Sequence, residues 1–203
     1  MLAVNTMFLR NSVSSVPPTT KAFLEKFWDK STYTAEASMM LAGTLPGISG
    51  DDAYTIGLFH DCGIPVLMQR FPDHPFEIDS QEFNWDSLHK LEEERLGTNH
   101  AIVGNMFARN WGLPPHICQS ILHHHDANIY NNELQLVTVD VQNYVSVLIL
   151  AEYLAGIFLR TEDENTIAKS RMHANALRHL GLEREEFNDM TLDILTELRQ
   201  VSN

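Results

Sequence analysis

The chain has 203 residues, 44% of them hydrophobic and 20% charged, which is the composition of an ordinary globular protein with room for one or two cores. Twenty-seven acids against 14 bases give a formal net charge of −13. That balance excludes a surface built to attract nucleic-acid phosphates or an anionic membrane, so neither is expected as a partner. The two cysteines, Cys62 and Cys118, are far apart and form no C-x-x-C, so a disulfide framework is not expected and a reducing, cytoplasmic setting fits.

Helical periodicity dominates from the N-terminus onward. MLAVNTMFLR lacks a basic n-region, and its apolar stretch is too short for a signal peptide. Residues 20–43 read as a helix after Pro17-Pro18, with Thr19 or Thr20 as the cap and Gly43 at the end. SGDDAYTIGLFHDCG begins with Ser49, Asp51 and Asp52, residues that suit a helix start, and ends at Gly63. VLMQRF extends this helix beyond Pro65, and residues 71–84, with two prolines, read as a loop or excursion. A helix follows over about 86–96, broken at Gly97.

Thr98 or Asn99 caps a helix over 100–111 whose apolar face carries Ile102, Val103, Met106 and Phe107. Pro114 and Pro115 suit the first turn of the next helix, which ends in the cluster His123-His124-His125-Asp126. Helices over about 134–160, 164–180 and 183–201 complete the chain. Within the first of these, VSVLILAEYLAGIFL is interrupted by Glu152 and is too short to span a membrane. The modest basic stretch KSRMHANALRH reads as the solvated face of one helix. No strand alternation of convincing length is present, so an all-α fold is expected, with a single compact domain. Its parts are an N-terminal segment 1–19, a helical core 20–160 and a helical extension 161–203 packing on that core.

Several polar residues are out of phase with this pattern. Glu152 has Leu148, Ile149, Ala155 and Gly156 three and four residues away, so it lies on an apolar stripe, either buried with a partner or reaching solvent at the edge. His60-Asp61 ends the apolar run IGLF, and His100 opens a helix with a strongly apolar side. Taken singly, each histidine is more often a packed or surface residue than a ligand. Together, a His-Asp pair, a single His, paired histidines and an acid on separate helices form an oxygen and imidazole set suited to Fe, Mn, Zn or Mg in a helical bundle.

Three stretches, FWDKSTYTAEAS (27–38), GLFHDCG (57–63) and LGTNHAIVGNMFARNWGLPPHICQSILHHHD (96–126), carry a resemblance. The chain resembles the HD superfamily of metal-dependent phosphohydrolases, and most closely its HDOD branch, the HD-related output domains of bacterial signalling proteins. The resemblance covers about residues 20–160 and implies an HD-type helical bundle, here a partial HDOD domain. It implies His60, Asp61, His100, His124 and His125 as metal ligands, with Glu152 where an aspartate normally closes the site. Asp61 would be the catalytic carboxylate of an active member, and His123 is incidental.

The departures are as informative as the matches. Lys30 stands where the first histidine ligand is expected, and Ile64 stands where a lysine often follows. No Gly-Tyr-Pro triplet follows the paired histidines. A protonated lysine donates hydrogen bonds and cannot ligate a metal. Lys30 is therefore expected to supply the charge a metal would supply, paired with Asp61 or Glu152, unless it points to solvent as Lys26 one turn earlier would. Three functions remain open. One is a signalling module that binds a protein partner or a small phosphorylated ligand without efficient catalysis, with a homodimer as one option. The others are a phosphohydrolase acting on a nucleotide or cyclic dinucleotide, and a helical scaffold.

Overall fold

The computed structural model describes residues 18–71, 85–131, 133, 137–161 and 170–201. Among them every regular element is an α-helix: α1 (Pro18–Gly43), α2 (Gly50–Phe59), α3 (Gly63–Arg70), α4 (Trp85–Leu96), α5 (His100–Asn110), α6 (Pro115–His123), α7 (Val139–Phe158), α8 (Arg171–Leu180) and α9 (Arg184–Val201). The all-α expectation holds. The excursion read over 71–84 and the start of the helix read at 164 lie, apart from Phe71, outside the described residues.

Local chemistry fixes the helix ends. Ser49 accepts from the Asp52 amide, Asn99 from Ile102, Thr138 from Val141 and Ser170 from His173, so these four starts have a side-chain cap. Two starts differ from expectation. α1 begins at Pro18, whose fixed φ suits a first helical position, so Thr19 and Thr20 lie inside the first turn. The Thr138 cap starts α7 at Val139 rather than near residue 134. The segment after Phe59 is also not a continuation of α2. The chain turns through His60, Asp61 and Cys62, then restarts as α3 with Pro65 in its first turn, where proline is tolerated.

α7 is the centre of the bundle. It is apolar on nearly every side, and α1, α2, α6, α8 and α9 all pack against it. By length and composition it could cross a membrane, but 78% of its most apolar stretch is buried inside this fold, as in a core helix. α8 shows the opposite pattern: Ala176 and Leu177 face the core while Arg171 and Arg178 stay exposed, the solvated basic face expected of 169–179.

Two glycines allow the crossings that carry the polar residues inward. Gly57 of α2 abuts Ala35 of α1, whose Cα would lie 2.7 Å from an added Cβ. Gly63 lies against α5, where a Cβ would overlap the His100 carbonyl and come within 2.9 Å of the Gly104 amide nitrogen. Backbone atoms cannot rotate away as a side-chain tip can. We therefore expect Gly63→Ala to destabilise the fold by about 3 kcal/mol in chemical denaturation. Gly43→Ala, whose Cβ would meet nothing within 4 Å, should cost almost nothing. Equal effects of the two substitutions would contradict this account of the α3–α5 crossing.

Candidate functional site

The turn between α2 and α3 places Asp61 in the interior, its side chain 5% exposed, at the meeting point of several helices. Lys30 reaches it from α1, with Nζ 3.8 Å from Oδ2 and 3.1 Å from Glu152 Oε1 on α7. The neighbouring His60 Nε2 lies 3.0 Å from Asp61 Oδ2 and 3.4 Å from Glu152 Oε1. On the other carboxylate oxygen, His100 Nε2 and His124 Nε2 each lie 3.4 Å from Oδ1. His125 completes the group, its Nε2 3.0 Å from that of His100. All seven residues singled out in the sequence thus come together from five parts of the chain. Lys26 is exposed, and His123 is outside the group, 3.5 Å from Asp126. Glu152 lies between its two sequence alternatives, its side chain 25% exposed and paired with Lys30.

Three of the histidines are held in the same way. A carbonyl or carboxylate oxygen only accepts, so the nitrogen facing one must carry the proton. Nδ1 of His60 donates to the Gly57 carbonyl and Nδ1 of His124 to the Ile121 carbonyl, each at 2.7 Å. Nδ1 of His100 donates to Glu92 Oε2 at 2.6 Å. Each ring consequently turns Nε2 toward Asp61. Nε2 of His60 and of His124 are buried without a well-directed hydrogen bond, although carboxylate oxygens lie close by. Holding the outer nitrogen with an acceptor while the inner one stays available is the usual arrangement around a metal-binding histidine.

The donors form two overlapping sets that share Asp61. Ligand atoms of Asp61, His100, His124 and His125 lie within 4.8 Å of one another, as do those of His60, Asp61 and Glu152. The first set has three imidazoles and one carboxylate and fits a single divalent transition metal. The second set has the Lys30 ammonium against both of its carboxylates, so it already contains a cation.

The electrostatics follow this division. Burial opposes ionisation of Asp61, but His60, His124 and Lys30 outweigh it and hold the carboxyl well below the usual range. Burial likewise opposes ionisation of Glu152, and Lys30 and His60 outweigh it. Burial would lower the His60 pKa, but the Asp61 and Glu152 carboxylates more than offset this and raise it to about 10. Without an ion, two carboxylates therefore face one ammonium and one imidazolium, and this half is neutral. His124 and His125 are pushed the other way, mainly by burial, and favour the neutral form a metal ligand needs. Burial and Asp61 push the Cys62 thiol up to about 12, so it is an unreactive core residue.

Two residues here were not singled out from the sequence. Glu92 is fully buried and accepts from both the ring and the backbone amide of His100, and the His89 ring stacks on His125 at 4.7 Å. Glu92 was legible in principle. Leu88 and Leu96 lie four residues to either side, so it breaks an apolar stripe as Glu152 does.

The HDOD domain family profile matches residues 2–127, well over half of the chain. The chain belongs to the HDOD family. The match starts earlier and stops earlier than the 20–160 span carried by the motifs, and it takes in every candidate residue except Glu152. Similar solved structures include an HDOD domain protein from Geobacter sulfurreducens, with TM-score 0.63 and 20% identity over 86% of this chain and 59% of that one. The MmoQ response regulator of Methylococcus capsulatus has TM-score 0.57 and 23% identity over 80% of this chain and 59% of that one. The phosphodiesterase PgpH HD domain of Listeria monocytogenes has TM-score 0.56 and 13% identity over 96% and 99%. At these identities the likeness is one of fold, and this HDOD chain spans about three-fifths of the length of the first two. No curated protein matches it.

The protonated His60 predicts a pH dependence. Its pKa is higher folded than unfolded, so its contribution to stability is complete below about pH 6.5 and fades as the pH rises toward 10. For metal-stripped protein, urea denaturation should show a loss of roughly 1 kcal/mol between pH 7 and 8, below the range where the unfolded cysteines titrate. A flat profile over that interval would mean that His60 is neutral in the folded state.

Proposed function

We propose that this HDOD chain is a regulatory module whose HD-type site has exchanged one of two cations for Lys30. It acts by binding a protein partner or a small phosphorylated ligand rather than by efficient turnover. The observation that carries the reading is Lys30 Nζ, 3.1 Å from Glu152 and 3.8 Å from Asp61, set against the carboxylates of the second donor set. An ammonium there supplies positive charge, but it opens no coordination position and acidifies no water. The first donor set, Asp61 with His100, His124 and His125, would hold one divalent ion. A bound ion would supply Lewis acidity toward a phosphate oxygen or a water. Lys30 and Glu152 stand at the more accessible side, with side chains 18% and 25% exposed, whereas His60, His100 and His124 are sealed inside. An anionic ligand therefore meets Lys30 first. For protein contacts, α5 offers Ile102 and Met106, exposed one turn apart on the helix that begins with His100.

The second reading, a metal-dependent phosphohydrolase on a nucleotide or cyclic dinucleotide, is favoured by the buried Nε2 of His124, which is biased to the neutral form and has no well-directed hydrogen bond. Hydrolysis assays with Mn(II) or Fe(II), using bis(p-nitrophenyl) phosphate and cyclic dinucleotides, separate the two. The regulatory reading predicts wild-type turnover no greater than that of Asp61→Ala. Turnover that vanishes in Asp61→Ala would establish the phosphohydrolase, and Lys30→His should then leave it equal or higher.

A further inference from the structure

The three inward-facing histidines do not occupy equivalent places in the fold. His60 and His124 follow the last residues of α2 and α6, where carbonyls of the final turn have no helical partner, and each takes the carbonyl three residues back. His100 is the first residue of α5, preceded by the extended Asn99, so it has no such carbonyl within its own helix. Its acceptor must come from another element, and α4 supplies it. Glu92 Oε2 takes the His100 ring proton at 2.6 Å and the His100 amide at 2.8 Å. Asn99 already caps α5 through the Ile102 amide, so the ring contact goes beyond capping. One turn earlier on α4, the His89 ring lies almost parallel to His125, at 9° and 4.7 Å, with its Nδ1 buried and without a hydrogen-bond partner.

We propose that α4 is a positioning element for the metal: Glu92 fixes His100 as the Nδ1–H tautomer with Nε2 free for the ion, and His89 holds the His125 ring by stacking. This rests on the reading of Asp61, His100, His124 and His125 as a one-ion site. Two points of attachment on one residue, its amide and its ring, leave the imidazole a single orientation. His125 is held on one face by His89 and at its edge by His100, whose Nε2 lies 3.0 Å away. α4 therefore supplies two of the site's supporting side chains.

The test is Zn(II) affinity of the full chain, measured by competition with a chelating dye, together with imidazole ¹⁵N shifts of the metal-free protein. Glu92→Gln should weaken Zn(II) binding about 10-fold or more and change the His100 ring from a single tautomer to a mixture. Wild-type affinity and an unchanged tautomer in Glu92→Gln would overturn the proposal while leaving the one-ion reading intact. Failure of wild type to bind Zn(II) would overturn both. The His89 variants decide the matter should Glu92→Gln fail to fold. His89→Phe keeps the stack and should retain the affinity, whereas His89→Ala should lose several-fold, and equal affinities would overturn the role of α4.

Discussion

A carboxylate inside a helical bundle must be compensated, and the compensation of Asp61 organises this molecule. Its charge is met by Lys30 from α1, by His60 beside it, and by His100 and His124 at one end of α5 and α6. The desolvation cost of such a group is several kcal/mol, so the arrangement persists only because every partner is itself fixed. His60 and His124 are fixed by carbonyls of their own helices, His100 by Glu92, and Lys30 by Glu152. The close crossings at Gly57 and Gly63 are part of the same constraint. Larger residues there would push α2 and α3 away from α1 and α5, and with them the turn that bears Asp61.

Asp61 also divides the cluster into two chemically different halves. Toward the end of α6 it meets His124, with His125 beside it, both biased to the neutral form with lone pairs to offer an ion. Toward α1 and α7 it meets an ammonium and a protonated imidazole, which have none. A proton on His60 and a metal ion at its Nε2 exclude each other, so that half is self-sufficient as it stands. On the proposed regulatory reading, the Lys30 ammonium, on the accessible side of the site, holds that half without an ion.

Much of this was legible in the sequence, for a physical reason. Polar residues that interrupt an apolar stripe must find partners, and the out-of-phase residues His60, Asp61, His100 and Glu152 do find one another. Helix starts were readable at Ser49, Asn99 and Pro115, where a cap or a proline marked them, but not at Pro18 or Thr138. Pairing of side chains across helices was less accessible. Helix phase left open whether Lys30 faced solvent, because Lys26 shares its side of α1. Glu92 sits in the acidic run LEEERL, where charge suggests a solvated face, and only its spacing from Leu88 and Leu96 reveals burial. The break at His60-Asp61-Cys62 was hidden for the opposite reason, since apolar residues continue on both sides of it.

The central claim is that the Lys30 ammonium stands in for one of two cations, and the most direct measurement is metal stoichiometry. Untagged wild type and Lys30→His, purified without chelators and loaded with the same divalent metal, would be compared by elemental analysis, with anomalous diffraction locating each ion. The account predicts no more than one ion per chain in wild type, held by Asp61, His100, His124 and His125, and an additional ion at His60, Asp61 and Glu152 in Lys30→His. Two ions in wild type, with Lys30 displaced from Glu152, would contradict it.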